Sequence, residues 1–123
     1  MSKPIVIDLP IPHRALHPNA RTHWAEKARH TKRHRENAYY AALSVKTNMR
    51  PWKSATVLIQ FTFADKLRRD RDGLLSHCKA YFDGIADARV VENDYQFTFL
   101  PIEIMPPNKL KTGVQITVME ATT

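Results

Sequence analysis

The chain carries a single cysteine, Cys78, which excludes an internal disulfide and fits a reducing compartment. It has no apolar run near the roughly 20 residues needed to span a bilayer. Asp8, Pro10 and Pro12 break up its short apolar start, so the N-terminus does not read as a secretory signal. Together these absences point to a cytoplasmic protein. Neither G-x-x-x-x-G-K-[ST] nor G-x-G-x-x-G occurs, so no phosphate-cradling loop and no nucleotide cofactor are expected. Repeats, low-complexity segments and linkers are missing too, and 123 residues suit one domain, 1–123, with a modest core. Acids are outnumbered: 12 Asp and Glu against 19 Lys and Arg leave a formal charge of +7. Such a surface attracts polyanions, nucleic acid ahead of anionic membrane. The apolar share (43%) and charged share (25%) are those of a folded globular chain.

Hydrophobic periodicity predicts the elements. Ile5–Leu9 is short and β-branched, a first strand ended by Pro10 and Pro12. A loop from Pro12 to about Asn19 follows. Arg21–Asn48 lacks Gly and Pro and is rich in Ala, Lys, Arg and Glu, which predicts a long helix. Thr22 is its candidate N-cap, and Ala38, Tyr39, Ala41, Ala42, Leu43 and Val45 its candidate core face. In Ser54–Phe63, Val57, Ile59, Phe61 and Phe63 alternate with Thr56, Leu58, Gln60 and Thr62, the pattern of a strand. A helix from about Asp72 to Ala88 would bury Leu74, Leu75, Cys78, Phe82 and Ile85. Strands are expected at Tyr95–Ile104 and Gly113–Glu120, with Met105–Thr112 as the loop between them. The fold class is α/β (α+β): a small mixed sheet in β-α-β-α-β-β order with helices packed on it.

The chemistry concentrates in A-D-K-L-R-R-D-R-D-G-L-L-S-H-C-K, residues 64–79. Asp70 and Asp72 stand among Lys66, Arg68, Arg69 and Arg71 at the end of a strand and the start of a helix. Acids inside a phosphate-binding surface are explained if they hold a divalent cation while the bases hold the backbone. The plainer alternative is that Asp72 caps the helix and Asp70 pairs with arginines. A metal site needs a third acid. Asp94 is best placed, with Asp83, Asp87 and Glu92 as competitors. Three carboxylates and waters suit Mg2+ or Mn2+ rather than zinc. Along the predicted helix Asp72, Ser76, Lys79 and Asp83 follow at steps of four, three and four and share a polar stripe, so Lys79 is expected on the Asp72 side, where it would reach a scissile phosphate. A solvated surface lysine is the bland alternative.

Six histidines raise the question of zinc, but His30 and His34 lack an adjacent Glu and a third ligand at suitable spacing. Cys78 reads as a small core residue rather than a nucleophile. Trp24, Tyr39 and Tyr40 lie among basic residues and would suit base stacking, though core packing is the default expectation for most of them.

The segment R-R-D-R-D-G-L-L-S-H-C-K-A-Y-F-D-G-I-A-D-A-R-V-V-E-N-D resembles the signature of the RusA family of Holliday junction resolvases, above all its phage-type members. The opening L-P-I-P and the P-N-A-R-T-H-W before a basic helix are similar to that family's first strand and loop, so the resemblance runs from Ile5 to Val118. It implies a RusA-like fold, a homodimer, metal-binding catalytic carboxylates at Asp70, Asp72 and Asp94, and an essential lysine at Lys79. The chain departs from the pattern at Gly73, where asparagine is usual, and at Asn93, where aspartate is frequent. Lys79 sits three residues further from Asp72 than in the shortest members. Gly73 is expected to weaken the helix start and to remove a polar group beside the site.

These observations lead to one expectation: a Mg2+- or Mn2+-dependent endodeoxyribonuclease resolving four-way junctions in recombination or repair, of host or phage. Arg21, Lys27, Arg29, Lys32, Arg33, Lys66, Arg68, Arg69 and Arg71 would bind the DNA. The alternatives are a silent basic DNA-binding module, or a nuclease for forks, flaps or duplex.

Overall fold

The computed structural model describes residues 3–48, 50–67, 69–93 and 96–121. Strand β1 (Ile5–Leu9) leads through a 3-10 turn at Arg14–Leu16 to helix α1 (Trp24–Val45). Then come β2 (Ala55–Thr62), α2 (Arg71–His77), α3 (Lys79–Asp87), β3 (Phe97–Phe99), β4 (Glu103–Ile104) and β5 (Gly113–Glu120). The fold is thus α+β, with a mixed sheet in the order β1-β5-β2-β3 and β4 also paired to β2. β5 runs antiparallel to both β1 and β2, whereas β3 and β4 run parallel to β2.

Register aligns one buried face. Ile5, Ile7 and Leu9 stand opposite Val118, Ile116 and Val114, which in turn face Val57, Ile59 and Phe61. All of these side chains are buried, because alternate residues of each strand point to the same side. Helix α1 packs on β1 and on α3, closing that face. Gly84 permits the helix contact: a Cβ there would overlap the Arg35 carbonyl oxygen and come within 2.9 Å of the Ala38 Cβ.

Several boundaries differ from expectation for physical reasons. Helix α1 starts at Trp24 rather than Arg21, because the His23 side chain, not Thr22, accepts from the Ala25 amide as N-cap. It ends at Val45 rather than Asn48, with extended Lys46 as C-cap. Leu43 and Val45 are exposed, since the buried stripe of the described helix is His34, Ala38 and Ala42. The predicted 72–88 helix is two helices meeting at Cys78, which caps the end of one and the start of the next. The expected 95–104 strand is broken around Pro101, which cannot donate to the ladder, although the Leu100 and Met105 amides still reach Val57 and Phe61. Among the described residues, no helix is long and apolar enough to cross a membrane.

Candidate active site

The loop leaving β2 is fixed by its own charges. Arg69 donates to Asp65 at 2.8 Å and to the Leu67 carbonyl at 2.9 Å, and its guanidinium lies 3.6 Å from the Phe63 ring centroid. That guanidinium holds the Asp65 carboxyl below its ordinary range. Arg71 is tied down as well, its Nε donating to the Ile102 carbonyl at 3.1 Å. These two arginines, expected to bind DNA, are engaged in holding the loop and the helix start.

Asp70 is the N-cap of α2: its Oδ1 accepts the Asp72 amide at 3.2 Å, and its carbonyl accepts from the Leu74 amide. Capping therefore falls to Asp70 and not to Asp72, and among the described residues Asp70 pairs with no arginine. The Asp72 carboxylate, in the first turn, makes no hydrogen bond or ion pair with any described residue. Both carboxylates are exposed and share one hollow with Arg69 and Arg71.

Lys79 opens α3 and lines a different hollow, with Lys27, Thr31, Ser76, Asp83, Leu16 and Pro18. Its ammonium lies 3.4 Å from Asp83, and its side chain is 73% exposed, so the pair is loose. Lys27 thus reaches the same hollow as Lys79. Arg29 and Arg33 project from the side of α1 away from its buried stripe, and Lys32 lies near Asp87. The expected basic residues of α1 therefore do not form one patch. Arg21 lines a third hollow, together with His13, Arg14, His17 and His23. Lys66 is exposed in the loop before Arg69.

Asp94 and Arg68 lie outside the described residues. Of Asp94's competitors, Asp83 pairs with Lys79, while Asp87 accepts from Arg35 Nε and Nη2 at 2.6 and 2.9 Å and is held below its ordinary pKa range by that guanidinium. Glu92 is exposed. Among the described residues no group of three or more His, Cys, Asp or Glu side chains is arranged to hold a metal ion. The donors available at Asp70 and Asp72 are carboxylate oxygens, the chemistry of a hard cation that keeps waters and takes further oxygens from a phosphate.

The histidines form the feature that sequence reasoning missed. His13 stacks on His30 at 3.7 Å between centroids. Its amide donates to His34 Nε2 at 3.1 Å, and its carbonyl lies 2.8 Å from His77 Nε2. The His17 ring meets His77 edge-on, and its Nδ1 accepts the Asn19 amide at 3.1 Å. Its Nε2 stands 3.4 Å from where a Cβ on Gly73 would sit, and Asp70 Oδ2 is 3.5 Å from that same point. Cys78 is fully buried, with burial pushing its thiol up to about 12, as suits a core residue. Trp24 (76% exposed) and Tyr40 (67%) are not core residues, contrary to the default expectation.

No protein-family model matches the chain, and no curated protein matches it either.

Proposed function

We propose that this protein is a magnesium- or manganese-dependent endonuclease that cuts branched DNA, a phage-type member of the RusA family. One observation carries the reading: Asp70 and Asp72 present adjacent exposed carboxylates, unpaired by any described arginine, at a strand-to-helix junction of a chain with charge +7. Leaving two negative charges unneutralised beside a polyanion is unfavourable unless a cation joins them.

Asp70 and Asp72 would hold that cation, with Asp94 as the third carboxylate. When bound, the ion supplies charge neutralisation at the phosphate and acidifies a water for attack. The chain's own groups do the rest. Lys79, only loosely paired with Asp83, turns to a non-bridging oxygen or the departing oxyanion. Lys27 grips a neighbouring phosphate across the same hollow. Exposed Trp24, beside His23, offers a face on which an unpaired base stacks. Hydrolysis is direct, without a covalent intermediate. A homodimer would set two such sites about a two-fold axis, matching the paired cuts that a four-way junction requires.

Cleavage of a synthetic four-way junction beside linear duplex with the same arm sequences tests the reading. Paired symmetric nicks confined to the junction are expected. Equal cutting of the duplex would remove junction selectivity, and cutting of forks or flaps alone would redefine the substrate. A junction left intact across magnesium and manganese concentrations would make the protein a silent DNA-binding module.

A further inference from the structure

Arg69 and Arg71 are tied into the protein, whereas Arg14 and Arg21 are not. Both are exposed, and neither side chain makes a hydrogen bond or ion pair with any described residue. They line one hollow together with His13, His17 and His23. The three histidines share a device. Each ring accepts, at Nδ1, the backbone amide two residues further on: His13 from Ala15 at 3.0 Å, His17 from Asn19 at 3.1 Å and His23 from Ala25 at 3.2 Å. A neutral imidazole that accepts at Nδ1 carries its proton on Nε2. All three rings are thus set as donors, and no hydrogen bond among the described residues uses any of these protons. Of the described residues lining the hollow, the one acid is Glu26, whose carboxylate lies 3.8 Å from His30 Nε2. His23 and Glu26 belong to the start of α1, so the positive end of the helix dipole adds to the same space. Two guanidinium groups and three N–H donors around one hollow make a seat for an anion.

We propose that this hollow binds a backbone phosphate of an unpaired nucleic-acid strand, with the neighbouring base stacked on Trp24. Trp24 follows His23 directly, their ring centroids are 5.5 Å apart, and its indole is exposed. Base on indole and phosphate on arginine is the usual pairing of contacts to a single strand. A duplex offers the phosphate too, but keeps its base inside the stack and away from the indole. His17 lines the hollow and also lies against Gly73 of α2, so a strand passing over Asp70 and Asp72 has this hollow beside it. The inference rests on the nucleic-acid part of the proposed function and not on its metal site.

Titrating the full chain with a short oligothymidylate in excess EDTA, followed by tryptophan emission, tests it apart from cleavage. Trp52 is buried, so Trp24 is the indole that a bound base can quench. Emission should fall as the strand binds. The double variant Arg14→Ala with Arg21→Ala should bind on the order of tenfold more weakly with an unchanged unfolding midpoint. Its slope of log affinity against log salt should drop by about 0.7, the share of one single-strand phosphate. Trp24→Leu should weaken oligothymidylate on the order of tenfold, yet bind an abasic strand of the same length as wild type does. Unchanged affinity and slope in the double variant would overturn the hollow and leave the DNA-binding reading standing. An equal loss on linear duplex, or binding that requires a 5′-terminal phosphate, would overturn the unpaired backbone as its ligand. A wild-type chain that binds no strand and no duplex would overturn the nucleic-acid reading itself, and this inference with it.

Discussion

The Asp70 carboxylate accepts the backbone amide of Asp72 at 3.2 Å, so one proposed ligand caps the helix that carries the other. The two roles of Asp70 separate by substitution. Asparagine caps as well as aspartate, whereas alanine costs about 1 kcal/mol of stability. Asp70→Asn should therefore abolish cutting with an unchanged unfolding midpoint, and junction binding should be kept or tightened as a repulsive charge is lost. Asp70→Ala should lose both activity and stability. Urea melts, cleavage and anisotropy titrations on the two variants decide this, and loss of junction binding in Asp70→Asn would make the residue structural.

Lys27 and Arg69 were both expected to hold DNA, yet their surroundings differ. Lys27 lines the Lys79 hollow, whereas Arg69 is spent on Asp65, Leu67 and Phe63. Lys27→Ala should lower the slope of log affinity against log salt by about 0.9, the signature of one lost phosphate contact. Arg69→Ala should mainly lower the unfolding midpoint, since it strips the loop before Asp70 of its internal ties. Anisotropy at a series of salt concentrations, paired with urea melts, checks both; an unchanged salt slope in Lys27→Ala would remove that residue from the interface.

Strands β1, β2 and β5 were legible because a sheet buried on one face imposes a period of two, which Ile5, Ile7, Val57, Ile59, Ile116 and Val118 obey. The break at Cys78 was not. Leu74, Cys78, Phe82 and Ile85 are all buried, so the apolar stripe crosses the junction of α2 and α3 without interruption. The split between β3 and β4 was not foreseen either, although Pro101, which cannot donate to the ladder, stands in the middle of the expected strand. For the site, the strand-to-helix position of Asp70 and Asp72 could be read locally. The approach of His17 to Gly73 could not, because it depends on how a distant loop folds back, and no periodicity records that. The separate directions of Lys27 and Arg29 were written in the helical repeat, but only the packing of α1 says which direction is covered.

Gly84 is where α3 touches the backbone of α1. An added Cβ would overlap the Arg35 carbonyl and crowd the Ala38 Cβ and the Tyr39 nitrogen. Alanine is the better helix former by about 1 kcal/mol, but overpacking at a backbone contact costs roughly 1–3 kcal/mol or more. Sterics should win. Gly84→Ala is expected to lower stability by about 2 kcal/mol, read as a reduced urea midpoint at constant slope. A gain in stability would mean that the helices can part cheaply.

Acid should destabilise the protein through His34 and His77 before any carboxylate is involved. Burial lowers the pKa of both from 6.5; His30, His13, His77 and Arg33 press further on His34, and His17 and His13 on His77, where the bond to the His13 carbonyl pulls the other way. His34 Nε2 accepts the His13 amide, so protonating that nitrogen sets donor against donor. Between the lowered pKa and 6.5 the unfolded chain binds more protons than the folded one. Stability is thus full above about pH 6.5 and falls as pH drops below it. Asp65 and Asp87, depressed from 3.8 by Arg69 and Arg35, lose their contributions only in stronger acid, so the range from about pH 5 to 7 isolates the histidines. Urea midpoints across that range should rise with pH and level off near neutrality. His34→Gln keeps an oxygen able to accept the His13 amide but cannot titrate, so it should flatten the rise. An undiminished slope in that variant would assign the acid sensitivity to His77 or to its neighbours instead.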